Sequence, residues 1–244
     1  MAEISLTIPT DILKMLYNVI SSNVMGLKSI VMTVENDRLI VRHINDSNSA
    51  MMRFESKELN SGLTSVRLPI DVADIKTVVN LSKEYPAATF LIEDGTTICK
   101  MGKIKKQFAQ PSIVPPNQRD PKFETNTTMN FNDSQTNNIV AIFSDLKEQG
   151  DLKITATPEG CKFSVKEDNR STETEFSSDE LEDYSNTAPA FAGYGVDMAI
   201  SIFKIKQKGS NLKIEIGKDV PMRATQVAEQ GTFSIILAPK IYSE

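Results

Sequence analysis

The chain has 244 residues, enough for two domains of ordinary size or one large one, and its 40% apolar content and net charge of −5 describe a globular protein, not a disordered one. No run of about 18 apolar residues offers a membrane span, and Met1-Ala2-Glu3-Ile4-Ser5 lacks the basic-then-apolar order of a secretory leader. Cys99 and Cys161 lie in opposite halves without a CxxC spacing or a nearby histidine, and read as reduced, buried thiols of an intracellular protein. An acidic balance argues mildly against nucleic acid as a partner, so the placement of the lysines matters more than their sum.

Glu3–Ile8 alternates, with Ile4, Leu6 and Ile8 apolar, and predicts a strand. Pro9-Thr10-Asp11 opens a helix capped by Thr10 or Asp11, with Ile12, Leu13, Leu16, Ile20 and Val24 at helical spacing and Lys14, Asn18, Ser21 and Ser22 opposite. Strand patterns follow at Lys28–Val34, Arg38–Ile44, Ala50–Ser56 and Thr64–Ile70. Asp71 caps a second helix, Val72–Lys83, whose inward stripe is Val72, Ile75, Val78 and Val79 and whose other face carries Ala73, Lys76, Asn80 and Lys83. Thr89–Glu93, Thr97–Met101 and Lys103–Ala109 complete the half, with Asp94-Gly95 a tight turn. The order is strand, helix, three strands, done twice.

Gln110–Pro121 holds four prolines, each of which fixes φ and removes a backbone donor, so it reads as an extended connector. Beyond it, Phe123–Phe131 is strand-like, Asn132-Asp133-Ser134 is a capping cluster, and a helix with Ile139, Ile142, Phe143 and Leu146 inward follows. Gly150–Lys166 aligns without gaps on Gly26–Arg42, setting Thr157 on Thr33, Glu159 on Glu35, Phe163 on Leu39 and Val165 on Val41. A helix at Val196–Lys206 mirrors Val72–Lys83, and Leu212–Gly217 mirrors Phe90–Gly95. A repeat with a period near half the chain implies a pseudo-symmetric α+β fold in which each half lays helices on one face of antiparallel sheets.

The C-terminal Gly231–Ile241 ends in Leu237-Ala238-Pro239-Lys240-Ile241, which resembles the closing segment of the DNA sliding clamps of the proliferating cell nuclear antigen family. Asp11-Ile12-Leu13-Lys14, Asp145-Leu146, Glu159-Gly160-Cys161-Lys162-Phe163 and Asp219-Val220-Pro221-Met222 resemble family segments in the same order, and the short tail is similar to the archaeal branch, with a viral clamp as the alternative. The resemblance implies a two-domain clamp, 1–110 and 123–244 joined by a connector loop at 111–122. Each domain would hold two β-α-β-β-β units, sheets outside and helices inside, in a ring-shaped homotrimer around duplex DNA. It implies a cytoplasmic processivity factor that tethers DNA polymerase, clamp loader, ligase and nuclease through short peptides. A subunit of a heterotrimeric or checkpoint-type clamp is the alternative.

Three sites follow from that resemblance. Lys14, Lys76, Lys83, Lys204, Lys206 and Lys208 would face phosphates; point charges without a bidentate fork suit sliding better than sequence reading. The third helix face (Asn137, Asn138, Ala141, Ser144, Asp145) offers only Lys147, less charge than the family has there. A partner groove would take Ile44, Met51, Ile113, Val114, Pro221, Ala238, Pro239 and Ile241, with the backbone of Ala238 and Lys240 holding the peptide's polar end; Pro116, Asn117 and Gln118 depart from the family's apolar connector. The subunit joint would pair Lys103–Ala109, with Lys103, Lys105, Lys106 and Phe108, against Ser171–Phe176 of a neighbour, with Glu173, Glu175 and Phe176, followed by Asp179, Glu180, Glu182 and Asp183.

No catalytic site is expected. His43 is the one histidine, no GxGxxG, P-loop or HExxH motif is present, and Gly193-Tyr194-Gly195 reads as a bend. The resemblance implies no cofactor and no metal.

Overall fold

A computed structural model describes residues 4–63, 65–81, 84–93, 95–112, 121–146, 150–167 and 170–240. The first half runs β1 (Ile4–Pro9), α1 (Thr10–Ile20), β2 (Ser29–Glu35), β3 (Arg38–Ile44), β4 (Ala50–Glu58), β5 (Ser65–Asp71), α2 (Val72–Leu81), β6 (Ala87–Glu93), β7 (Thr96–Met101) and β8 (Ile104–Ala109). The second runs β9 (Thr127–Phe131), α3 (Asp133–Phe143), β10 (Asp151–Thr157), β11 (Gly160–Glu167), β12 (Arg170–Ser177), β13 (Glu182–Asn186), β14 (Ala190–Gly195), α4 (Val196–Lys204), β15 (Leu212–Ile216), β16 (Met222–Ala228) and β17 (Gly231–Leu237). The strand, helix, three-strand unit thus occurs four times, with β13 and a single 3-10 turn at Ser178–Glu180 inserted before the fourth.

The units exchange their first strands. β1 belongs to the first unit yet pairs with β6 of the second, while β5 pairs back with β2. In the other half β14 pairs with β10, and β9 pairs with β15. Two four-stranded sheets result, in the orders β1-β6-β7-β8 and β12-β11-β10-β14. Between them lies a nine-stranded sheet, β13-β9-β15-β16-β17-β4-β3-β2-β5, that crosses from one half to the other through the antiparallel β4–β17 joint.

Strands such as β4, β10 and β15 alternate regularly, so one sheet face carries the core and the helices pack there. Leu6, Ile8, Phe54 and Phe90 are fully buried around α1 and α2. The other half is centred on Phe131, Phe163, Phe176 and Phe203, whose rings meet edge-on at centroid distances of 5.6 to 6.1 Å, the geometry that sets a ring's positive edge on its neighbour's negative face.

Several sequence expectations shift. α1 stops at Ile20, where the hydroxyls of Ser21 and Ser22 donate to Tyr17 O and Val19 O and close the last turn. Its N-cap is Pro9, not Thr10 or Asp11; Thr10 is helical and its hydroxyl donates to Tyr85 O at 3.0 Å. Asp71 ends β5, and its carboxylate accepts from Ser29 Oγ at 2.6 Å. The capping cluster before α3 is a full box: Asn132 Oδ1 accepts from Gln135 N and Gln135 Oε1 from Asn132 N. β9 starts at Thr127, four residues later than its pattern suggests, and Gly193-Tyr194-Gly195 ends strand β14 instead of bending.

The gapless alignment of the two hairpins is two residues out of phase. Glu35 faces Arg38 across the first turn and Thr157 faces Gly160 across the second, so Thr157 is the equivalent of Glu35, not of Thr33, and Phe163 that of Val41. The slip leaves every residue on its correct face, because side chains alternate with period two.

Candidate functional site

The four helices pack in pairs, α1 with α2 and α3 with α4. Each buries one stripe and leaves the other exposed: Lys14 and Asn18 on α1, Ala73, Lys76 and Asn80 on α2, Ser134, Asn137, Asn138 and Ala141 on α3, Asp197 and Lys204 on α4. The acids Asp11, Asp74, Asp133 and Asp197 sit in the first turns, where they meet the positive end of the helix dipole. Burial pushes the Asp74 carboxyl up, Asp71 adds to this and Lys106 opposes it. The exposed faces of α1, α2 and α4 therefore each present a lysine beyond an acidic first turn, although the chain is acidic overall.

The lysines after α4 are held by a side-chain network. Gln226, fully buried, accepts from Gln207 N at 2.7 Å and donates to Gln207 O and Ser210 O, fixing the loop that carries Lys208. Lys204, Lys206 and Lys208 line a depression of about 320 Å³ with Asp133, Thr136, Asn137, Val140 and Phe203. The sequence sets all three toward solvent, but α4 ends at Lys204 and the Lys206 side chain is only 4% exposed, its ammonium paired with Asp133. That pairing takes Lys206 out of the set free to meet a phosphate; Lys14, Lys76, Lys204 and Lys208 stay exposed. Lys83 and Lys147 lie outside the described residues.

On the opposite side of the nine-stranded sheet, Ile44 lies directly across from Met51, and Met51 from Ile236. The three share one face as an apolar row, continued by Arg223, which faces Ile236 and stands over the Phe123 ring at 4.8 Å. Pro221 and Pro239 are half-buried beside exposed Ala238 and Lys240. The N–H groups of Ala238 and Lys240 donate to Ser49 O and Gly193 O, both at 2.8 Å. The Lys240 ammonium pairs with Asp151. Ile113, Val114 and Ile241 lie outside the described residues. Ile236 and Phe123 belong to this surface without having been anticipated; the alternation of β17 carries the signal for the first, while Phe123 reads in sequence as part of a strand.

β8 and β12 are edge strands of the two four-stranded sheets. Lys103, Lys105 and Lys106 are exposed along β8 and its turn, and Phe108 is buried. On β12, Glu173 and Glu175 both hold Lys162 of the same chain, at 2.7 and 3.0 Å, and Phe176 is buried. The two thiols sit one strand in from these edges, Cys99 opposite Lys106 and Cys161 opposite Phe176. Burial raises them to about 11 and about 12, values at which a thiol is inert as a nucleophile. Among the described residues no group of three or more His, Cys, Asp or Glu side chains is placed to hold a metal, and no helix is long and apolar enough to cross a membrane.

No protein-family model and no curated protein matches the sequence. Solved structures do match the fold. PCNA of A. fulgidus, solved with the C-terminal region of FEN-1 bound, superposes with a TM-score of 0.81 at 20% identity, over 98% of this chain and 99% of that one. PCNA of Entamoeba histolytica gives 0.82 at 13% identity over 99% and 100%, and the PCNA2–PCNA3 complex of Sulfolobus tokodaii gives 0.76 at 14% over 97% and 99%. With superpositions that run over nearly its whole length, the chain has the fold of the PCNA sliding clamps.

Proposed function

We propose that the protein is a DNA sliding clamp: three copies close head to tail into a ring around duplex DNA, and the ring tethers replication and repair enzymes. The observation that carries this reading is the symmetry of the joints. β4 ends the first unit and β17 the fourth, and they pair along seven residues inside the chain. β8 and β12 end the second and third units and stand as edges. A long unpaired edge invites a partner, and the same joint made between copies satisfies both. Domains 1–110 and 123–244, linked by 111–122, then alternate around the ring.

The exposed lysines of α1, α2 and α4, repeated in each copy, attract phosphates without reading sequence, and salt weakens that attraction. The Ile44–Met51–Ile236 row, on the sheet face away from the helices, takes an apolar anchor of a partner peptide, such as a short helical turn from a polymerase, ligase or nuclease. Binding and tethering, not catalysis, are the work of such a surface.

Size-exclusion chromatography with light scattering tests the assembly. The pure chain should give three times its own 27.0 kDa. A persistent single-chain mass points to the other reading, a subunit that assembles only with different partners.

A further inference from the structure

We infer the register in which one copy of this chain joins the next: Lys105 lies directly opposite Glu173, which brings Lys103, in the turn before β8, beside Glu175. This rests on the ring reading above and adds to it the residues that meet. The internal joint supplies the template, with Ser56 opposite Gly231, Phe54 opposite Phe233 and Ala50 opposite Leu237.

Strand pairings carry that template to the two free edges. Glu35 and Glu93 are equivalent, because each faces the residue three further on, Arg38 and Thr96, across a two-residue turn. Val41 then corresponds to Cys99, and their partners on the next strand are Phe54 and Lys106. In the other half the hairpin tips Glu167–Arg170 and Ala228–Gly231 correspond, which puts Thr172 where Phe233 stands. A second path agrees. Tyr194 and Phe131, which precede α4 and α3, face Leu152 and Leu212. Two residues on, Ile154 and Ile214 face Phe163 and Ala224, whose own partners are Thr174 and Ile235. Since Phe54 faces Phe233, Lys106 of one copy faces Thr172 of the next and Ile104 faces Thr174. On the solvent side of the sheet, Lys105 meets Glu173 and Lys103 meets Glu175.

Charge selects the same register independently. Here both lysines meet a glutamate. A slide of two residues one way leaves Lys105 opposite Ser171, and the other way leaves Lys103 opposite Ser177, so either slide keeps one pair only. Lys162, which already holds both glutamates, becomes the centre of a five-charge ladder across the joint. The inward positions differ from the template as well. Phe54, Phe233, Met52 and Ile235 fill the internal joint, whereas Lys106, Thr172, Ile104 and Thr174 take their places between copies. The joint between copies is therefore held more by charge and less by apolar burial, and it loosens as salt rises.

Cysteine cross-linking tests the register. Residues directly opposite in an antiparallel pair have Cα atoms about 4.5 to 5.5 Å apart, within disulfide reach, whereas diagonal neighbours lie at about 7 to 8 Å, beyond it. A chain bearing Lys105→Cys mixed with one bearing Glu173→Cys should form disulfide-linked dimers under mild oxidation, while Lys105→Cys mixed with Ser171→Cys or Glu175→Cys should not. Lys105→Glu should separate the copies at moderate salt, and adding Glu173→Lys should restore assembly. Cross-linking through Ser171 or Glu175 in place of Glu173 overturns the register and leaves the ring standing. No cross-link from any pair in a protein that light scattering shows to be oligomeric overturns the register too. No cross-link in a single-chain wild-type protein removes the ring reading itself.

Discussion

Lys206 and Asp133 tie the loop leaving α4 to the first turn of α3. The Lys206 ammonium pairs with one carboxylate oxygen, and the other accepts from Gly209 N at 3.0 Å. A lysine from the fourth unit thus neutralises an acid of the third and anchors the segment that presents Lys208.

The pairing with Lys206, aided by the Gly209 N–H, holds the Asp133 carboxyl below its ordinary 3.8. A depressed carboxyl stabilises the fold above its ordinary value and loses that contribution as pH falls through the lowered one. The melting temperature should therefore drop on acidification below about pH 4, and less steeply in Asp133→Asn. At neutral pH Asp133→Asn should melt lower than Lys206→Met, because only the former strands a buried ammonium. Thermal scans of the three proteins between neutral and acid pH check both statements.

Lys14→Glu combined with Lys204→Glu should leave the assembly mass unchanged and abolish clamp-stimulated DNA synthesis. Both side chains point away from the core, so folding is unaffected. The slope of log affinity against log salt for duplex DNA should shrink by about 0.9 for each phosphate that is no longer neutralised. Stimulation at the wild-type level would remove these helix faces from the DNA path.

Much of this was legible in the sequence because it is written locally. Helical spacing marks α1 and α4, alternation marks many of the strands, and the Asn132-Asp133-Ser134 cluster marks the start of α3. What escapes is non-local. No periodicity announces that β1 pairs with β6 while β5 pairs with β2, since exchange of first strands changes neither pattern. The hairpin slip survives because two residues preserve the face, and only the pairings at Thr157 and Gly160 reveal it. Lys206 looks like its neighbours until Asp133, 73 positions away, claims its charge.

Met51 lies between Ile44 and Ile236 in the outer apolar row. Met51→Glu should weaken binding of a peptide with an aromatic anchor by about tenfold or more, by setting a charge where the anchor must be desolvated. Assembly should be unchanged, because the substitution faces solvent. Isothermal titration with one such peptide, set beside the light-scattering mass, separates a groove effect from a folding effect.

Gly231 stands at the tip of the internal joint with φ of +152°, and a Cβ there would come within 2.4 Å of Glu55 O and 2.7 Å of Ser56 Cα. Both are backbone atoms of the paired strand, so neither can rotate away. Gly231→Ala should cost about 2 kcal/mol or more in denaturant unfolding, and more than Gly209→Ala, where nothing lies within 4 Å of the added carbon.

The central claim is that three copies enclose a duplex with their helices facing it. Electron microscopy of the purified chain mixed with a short duplex tests this most directly. The account predicts a closed ring of three chains with six similar lobes, the duplex through the hole, and Lys14, Lys76, Lys204 and Lys208 toward it. A single chain, or a ring whose helices lie on its outer rim, would contradict it.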